Sequence, residues 1–173
     1  MDPSPFEERA LRTRGGDAVV IGPMADIDHD ALFSLFAEIV DRGEGFPHAP
    51  PLTEAVFDAT WVTPVTLTVV ARLDGVAVGA YYLKPNFPGR AAHIANAGYA
   101  VAGARRRTGV GRLLVEDSVR RAPLLGFDAI QFNLVFVGNP ARALYEELGW
   151  RQIGHLPDAV DGEDAVIYWR RVG

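Results

Sequence analysis

The chain has 173 residues, of which 49% are hydrophobic and 23% charged, a composition typical of one globular domain with a sizeable core. Its formal net charge of -5 argues against bulk electrostatic attraction to nucleic acid or to acidic membranes. Because the chain contains no cysteine, disulfides, thiolate metal sites and cysteine nucleophiles are excluded.

The N-terminal part of the chain changes from polar to apolar near residue 18. Residues 1–17 are polar and contain two prolines and two glycines, which predicts a loose segment. Residues 18–173 are then expected to form a single domain. Val19 to Ile21 can form a short strand, and apolar side chains recur at helical spacing over residues 30–40, which predicts a helix.

The helix over residues 30–40 is followed by a loop and a second helix. Either Asp28 or Asp30 can cap the first helix. Residues 41–52 carry two glycines and three prolines and predict an ordered loop. Thr53 can cap a short helix that ends near Thr60.

Three strands are predicted next. Residues 65–73 are apolar and β-branched, and Asp74-Gly75 is a strong hairpin signal. Residues 76–84 return along the hairpin, and a further strand follows over residues 92–101. The front half of the chain is therefore expected to be antiparallel.

The back half alternates helices and strands. Residues 109–122 have helical apolar spacing, and in residues 130–136 the even-numbered side chains are apolar, which predicts a strand with Asn133 on its other face. Asn139-Pro140 is a helix start.

The helix that starts there ends at Gly149, and two final strands are expected over residues 151–156 and 165–171. The predicted fold class is mixed α/β, with an antiparallel front half and a β-α-β-α-β back half.

The segment with the clearest chemistry is ARRRTGVGR, residues 104–112, which lies between a strand and a helix. Gly109 and Gly111 allow the backbone to approach a ligand closely, and the free N–H groups of a helix start favour an anion. Four arginines surround this turn of an otherwise acidic chain. A pyrophosphate is the ligand that we expect here.

Two other phosphate-binding loops agree less well with residues 104–112. A P-loop requires Gly-Lys-Ser/Thr, whereas Gly111 precedes Arg112, and a dinucleotide fingerprint requires GxGxxG, which is missing. From the loop alone, the interpretation as a basic helix N-terminus that binds no ligand also stays open.

The motif order adds a resemblance to a known family. R-x-x-G-x-G at residues 106–111, then a helix and a strand, then N-x-A-x-A-L-Y-x-x-L-G-W at residues 139–150, resembles the GCN5-related N-acetyltransferase (GNAT) superfamily over about residues 18–171. The resemblance implies a mixed central sheet with splayed strands, flanked by helices. It also implies that acetyl-CoA is the co-substrate and that no metal is needed.

The resemblance assigns roles to individual residues. The loop is expected to bind the coenzyme A pyrophosphate, the strand that ends near Val101 to pair with the pantetheine arm, and the Tyr145 hydroxyl to lie near the sulfur. The implied cofactor-binding residues are Val101, Arg106, Arg107, Thr108, Gly109, Val110, Gly111, Arg112 and Asn139.

A narrower resemblance concerns residues 80–171. The segments at residues 84–90, 93–99, 122–127 and 132–135 are similar to the fungal L-azetidine-2-carboxylate acetyltransferases, which detoxify proline analogues. This resemblance implies a homodimer and a small amino or imino acid as acceptor.

Three residues are the catalytic candidates. The narrower resemblance implies that Asn96 and Asn133 handle the substrate, although an asparagine on a strand can also anchor a loop or a bulge. Tyr145 can protonate the leaving sulfur, or it can simply pack a helix face. Asparagine cannot accept the proton of the amine, so water or an already neutral amine would be required.

Histidines and carboxylates offer weaker candidates. The four histidines show no metal-ligand spacing, so no catalytic metal is expected. His48 either contacts the substrate or is a solvated loop residue, and Glu44 is either a base or a surface carboxylate.

The sequence thus predicts an N-acetyltransferase for a small amine, without nucleic-acid or membrane partners. Other acceptors, namely an antibiotic, a polyamine or a protein N-terminus, stay open, as does a non-catalytic acyl-CoA sensor. A cytoplasmic location is expected, because the N-terminus lacks the apolar core of a secretory signal.

Overall fold

The computed structural model describes residues 3–173, in which eight strands form one sheet flanked by four α-helices. None of the helices in this range is long and apolar enough to cross a membrane. The strands are β1 (Arg9–Arg12), β2 (Ala18–Pro23), β3 (Leu67–Leu73), β4 (Val76–Pro85), β5 (Ile94–Val101), β6 (Ala129–Phe136), β7 (Arg151–Val160) and β8 (Glu163–Arg171). The helices are α1 (His29–Asp41), α2 (Glu54–Trp61), α3 (Val110–Leu124) and α4 (Arg142–Glu147).

The sheet has the strand order β1-β2-β3-β4-β5-β6-β8-β7. All neighbouring strands are antiparallel except β5 and β6, which are parallel and are joined through α3. This arrangement confirms the predicted mixed α/β fold with an antiparallel front half.

Local signals in the front half act largely as predicted. Asp74 and Gly75 both have positive φ, 50° and 79°, as a two-residue hairpin turn requires. The Thr53 hydroxyl accepts a hydrogen bond from the Val56 N–H and caps α2. Asp28 precedes α1 but does not cap it, because its carboxylate accepts hydrogen bonds from the Arg72 guanidinium instead.

Each face of the sheet carries its own apolar core. On one face β3 to β6 pack against α3 and α4, with Leu114 and Ile130 fully buried. On the other face the strands pack against α1 and α2, with Phe36 and Trp61 fully buried. The two cores therefore meet only through the sheet.

The N-terminal segment is more ordered than predicted. The prediction of a loose segment over residues 1–17 is wrong for residues 9–12, which form strand β1 and pair with β2. Residues 1 and 2 lie outside the described range. The fully buried Arg121 guanidinium donates hydrogen bonds to the backbone carbonyls of Pro5, Glu7 and Ile21 and thereby holds the segment against α3.

Arg121 is itself neutralised by a buried carboxylate. Its Nε donates to Asp117 Oδ2 at 2.6 Å, and Asp117 also accepts from Arg9 Nη1 and from the Tyr81 hydroxyl, each at 2.9 Å. Every oxygen of this buried charge is thus paired, as burial requires. The network joins β1, β4 and α3.

Strand β6 also departs from the prediction, because it does not alternate over its whole length. Its register against β8 shifts between Phe132 and Val135, so that one extra residue lies on β6. Val135 therefore joins the core, whereas strict alternation would have put it on the opposite face. The bulge leaves Asn133 exposed beside it.

We predict that Arg121→Met lowers the free energy of unfolding by about 3–5 kcal/mol, because it leaves Asp117 as a buried charge with fewer partners. Urea denaturation measures the change. The matched control is Arg171→Met, since the exposed Arg171 side chain donates only to the Gly173 carbonyl among the described residues. Equal stability of the two variants would contradict the proposed role of the network.

Candidate active site

The parallel strands β5 and β6 separate soon after they pair. Their ladder covers only Ile94–Asn96 against Ala129–Gln131. On the other side of β5, the Asn86 N–H donates to the Ile94 carbonyl and the Ala102 N–H donates to the Val78 carbonyl. The even-numbered residues of β5 thus direct their backbone groups towards β4. Because backbone direction alternates along a strand, the N–H and C=O groups of Tyr99 and Val101 point into the gap.

A cleft of about 220 Å³ occupies this gap. Its walls include Tyr99, Phe132 and Tyr145 from the core beneath α3 and α4, together with Phe46 and Tyr82 from the core beneath α1 and α2. A cleft bounded by both cores passes through the sheet. It can therefore bring together two reactants that enter from opposite faces.

Asn96 stands where the β5–β6 ladder ends. Its Nδ2 donates to the Gln131 carbonyl at 3.1 Å, and its Oδ1 accepts from the Tyr82 hydroxyl at 3.3 Å. The side chain is nearly fully buried and lines the cleft. The Asn96 side chain thus anchors the end of the ladder, which is one of the two roles that the sequence left open. It is also part of the cleft wall.

Asn133 lies in an exposed amide cluster at the same cleft. Its Nδ2 donates to Asn86 Oδ1 at 2.6 Å, and its Oδ1 accepts from Asn86 Nδ2 at 3.0 Å and from Gln131 Nε2 at 2.9 Å. The sequence did not single out Asn86, although it stands in the Lys84–Arg90 segment. Both asparagines predicted to handle the substrate therefore line one cleft.

Tyr145 projects from α4 into an aromatic wall. Its ring centroid lies 4.8 Å from that of Phe132 and 6.2 Å from that of Tyr99. Burial raises the pKa of its hydroxyl well above the ordinary value, so the group releases its proton less readily than an exposed tyrosine does. The hydroxyl makes no hydrogen bond within residues 3–173.

The glycine-containing loop lies between β5 and α3, as predicted. The backbone N–H groups of Arg107, Thr108 and Gly109 donate to no group within the described part of the chain. Gly109 has φ of +100° and lies against Thr13, so a side chain there would be strained and crowded. A Cβ at Gly111, in contrast, would meet only Val101 Cγ2, at 3.7 Å. The free N–H groups and this open approach are typical of an anion site.

The arginines of the loop differ in their surroundings. Arg106 is ion-paired with Glu44, and Arg112 with Glu147 and Glu116. Arg107 is exposed with φ of 63°. Arg106 and Arg112 are therefore both paired with carboxylates, whereas Arg107 forms no ion pair within residues 3–173.

Asn139 connects α4 to the cleft. Its Oδ1 accepts from the Ala141 N–H at 2.9 Å, and its Nδ2 would contact a Cβ at Gly45 at 3.9 Å. The helix proper begins three residues later, at Arg142. The Asn139 side chain thus belongs both to the start of α4 and to the cleft wall.

The sequence analysis did not predict how much of the cleft wall the loop between α1 and α2 forms. Gly45, Phe46, Pro47 and His48 all line the cleft. The clustering of glycine, proline and aromatic residues in the loop was the available signal, but it does not indicate which strand ends the loop covers.

Metal-ligating side chains meet elsewhere. His29 Nε2 lies 3.2 Å from Asp58 Oδ1 and 3.8 Å from Glu54 Oε2, on the surface between α1 and α2. The Asp58 hydrogen bond raises the pKa of His29. These three side chains form an ion-pair cluster, and none of them lines the cleft.

We predict that Gly98→Ala lowers the free energy of unfolding by about 1–3 kcal/mol, since its Cβ would lie 2.7–2.9 Å from atoms of the Tyr82 ring. Thermal or urea denaturation measures the loss. Gly111→Ala serves as the control because its Cβ finds ordinary contact distance. If Gly98→Ala were as stable as the control, the packing described for this wall would be incorrect.

Comparisons with known proteins agree with this geometry. Residues 31–150 match the acetyltransferase (GNAT) family. N-acetyltransferase aca1 of Schizosaccharomyces pombe is 42% identical over 83 residues, which are 47% of this chain and 40% of that protein. The chain thus spans less than half the length of this curated relative.

Solved structures extend the likeness to nearly the whole fold. A GCN5-related N-acetyltransferase from Kribbella flavida is 36% identical, with a TM-score of 0.83 over 88% of this chain and 97% of that chain. A phosphinothricin acetyltransferase from Sinorhizobium meliloti, solved with acetyl-CoA, shares the fold at 20% identity, with a TM-score of 0.77 over 90% of this chain and 89% of that chain. This chain belongs to the acetyltransferase (GNAT) family.

Proposed function

We propose that the chain transfers the acetyl group of acetyl-CoA to the amine of a small amino or imino acid, such as a proline analogue. The observation that carries the proposal is the cleft through the sheet at the β5–β6 split. One side of this cleft leads along β5 to the arginine-glycine loop. The other side presents Asn96 and Asn133 beneath the loop between α1 and α2.

The residues present fit a coenzyme A thioester. The free N–H groups at Arg107–Gly109 and the Arg106 and Arg107 guanidinium groups would hold its pyrophosphate. The free backbone groups of Tyr99 and Val101 would hydrogen-bond its amide-containing arm. Asn139 lies where the arm would enter the cleft.

The chemistry requires an aligned pair of reactants, a neutral amine and a proton for the leaving sulfur. When bound, acetyl-CoA supplies an activated acetyl group. Tyr145 lines the same cleft and, like an ordinary tyrosine, carries its hydroxyl proton at neutral pH. We assign it the role of proton donor to the sulfur.

A carboxylate on the acceptor is supported by the charges around the cleft. Lys84 is the single lysine of the chain, and its Nζ lies 5.0 Å from the centre of the Tyr82 ring, which forms part of the cleft wall. It forms no ion pair within residues 3–173. Lys84 and the amides of Asn133 and Asn86 would attract a carboxylate.

The charge and the size of the cleft also bear on the alternative acceptors. A polyamine would bring a second positive charge towards Lys84, which is unfavourable. A protein N-terminus would need an open groove rather than a cleft of about 220 Å³. A non-catalytic sensor does not need the proton donor that we assign to Tyr145, whereas an antibiotic amine stays a competing acceptor.

A homodimer and a cytoplasmic location complete the proposal. Strand β8 lies between β6 and β7, and its Tyr168 is fully buried. The exposed edge on that side is β7, with Ile153 about half exposed. We therefore assign the dimer contact to β7.

We predict that Gly111→Asp weakens acetyl-CoA binding at least tenfold, because it adds a negative charge at the pyrophosphate site. Calorimetry of folded protein measures the dissociation constant. Gly111→Asn is the matched control, with the same size and no charge, and it should bind more tightly than Gly111→Asp. Equal affinities for the two variants would contradict the pyrophosphate assignment.

We predict that Tyr145→Phe lowers kcat by about 10²–10⁴-fold while leaving acetyl-CoA affinity nearly unchanged, since only the hydroxyl proton is removed. Steady-state release of free thiol measures kcat. Tyr168→Phe, which removes a hydroxyl bonded to Glu146 outside the cleft, is the control. A wild-type kcat in Tyr145→Phe would make Tyr145 a packing residue.

We predict that azetidine-2-carboxylate and proline analogues are acetylated and that Asn133→Ala abolishes this turnover, while Asn96→Ala weakens substrate use. Lys84→Gln should raise KM for these acids but not for their carboxamides, which carry no negative charge. Thiol release across a panel of acids, amides, polyamines and peptides measures both effects. Acetylation of peptides or polyamines alone would remove the amino-acid assignment.

A further inference from the structure

His48 lies in the loop between α1 and α2 and forms part of the cleft wall. Its ring packs edge-on against Phe36, with centroids 5.3 Å apart, and lies 6.0 Å from Phe46. The imidazole is half-buried rather than solvated. It therefore shares the cleft with the two asparagines and with Tyr145.

The hydrogen bonds around Thr60 determine the tautomer of His48. The Thr60 hydroxyl donates its single proton to the Val56 carbonyl of the preceding helical turn, at 2.7 Å. His48 Nε2 lies 3.2 Å from the same hydroxyl oxygen, which can then only accept. Nε2 therefore carries the imidazole hydrogen, and Nδ1 carries the lone pair.

The Nδ1 lone pair has no partner. This atom is buried and makes no hydrogen bond within residues 3–173. An unsatisfied buried polar atom is costly, by about 1–3 kcal/mol, and in a native protein it often marks a place for a ligand group. The missing partner must be a donor, and His48 lines the cleft in which we place the acceptor amine.

Burial and a nearby charge both favour the neutral form of this imidazole. Burial, and then the charge of Lys84 on β4, lower the pKa of His48. The two helices present Phe36 and Thr60 to it, neither of which titrates at working pH. Glu44, the other candidate base in the loop, is ion-paired with Arg106, which lowers its pKa, and it does not line the cleft.

We propose that His48 Nδ1 accepts the proton that converts the ammonium group of the acceptor into the reactive amine, an inference that rests on the proposed acetyl transfer. The N–H bond breaks with its electron pair left on nitrogen, and the proton passes to Nδ1 and then to solvent. The amine nitrogen bonds to the acetyl carbon, the C–S bond breaks, and the sulfur leaves with the electron pair. The second amine proton is lost to the sulfur by way of Tyr145, so that the products are the N-acetyl compound, free thiol and one proton.

Kinetics of His48→Ala test this role. We expect kcat to fall by about 10²–10⁴-fold, the acidic limb of the pH profile to disappear, and added imidazole to restore turnover, while calorimetry shows unchanged acetyl-CoA affinity. His93→Gln is the matched control, because the His93 side chain is exposed and bonds only to the Arg90 carbonyl within the described residues. A His48→Ala variant with wild-type kcat and an unchanged acidic limb would overturn the proposal.

Nitrogen NMR of the wild-type protein provides a readout that does not require turnover. We expect a neutral His48 with its hydrogen on Nε2, and a shift of the Nδ1 resonance when an acceptor amino acid is added. A hydrogen on Nδ1 would overturn the role of His48 even in an active enzyme. An active enzyme with unaffected His48 variants refutes this inference alone, whereas a wild-type chain that acetylates no amine refutes the proposed function as well.

Discussion

The separation of β5 from β6 after Asn96 is the constraint on which the rest of the site depends. A continued parallel ladder would consume the backbone groups of Tyr99 and Val101 and would close the passage between the two cores. Asn96 stands at the point of separation, where its side chain binds the Gln131 carbonyl and the Tyr82 hydroxyl. One buried amide thus ends the ladder, orients an aromatic wall and borders the cleft.

An ion pair connects the proposed acceptor side of the cleft to the proposed pyrophosphate side. Glu44 stands in the loop that covers the acceptor side, and it binds Arg106 on the pyrophosphate side. A bound pyrophosphate would compete with this carboxylate for the same guanidinium group. His48, four residues further along the same loop, completes the acceptor wall.

Much of the fold was predictable because its signals are local. The Asp74-Gly75 turn, the Thr53 cap and the glycine loop before α3 each follow from residues within a few positions of one another. The buried Arg121 was not predictable, because its partners at Pro5, Glu7 and Ile21 lie about a hundred positions away. The bulge in β6 and the Glu44–Arg106 ion pair likewise depend on packing between distant segments. At the site, residue types and motif order predicted the arginine-glycine loop and the two asparagines of the cleft. The contribution of Lys84, Asn86 and His48 could be recognised only from the folded structure.

Residue-resolved amide hydrogen exchange, with and without acetyl-CoA, tests most directly whether the open edge of β5 holds the thioester arm. The amides of Tyr99 and Val101 face the gap and should exchange more slowly in the complex. Those of Gly98 and Ala100 face β4 and should change little. Unchanged exchange at Tyr99 and Val101 under saturating acetyl-CoA would contradict the assignment of the β5–β6 split as the binding site.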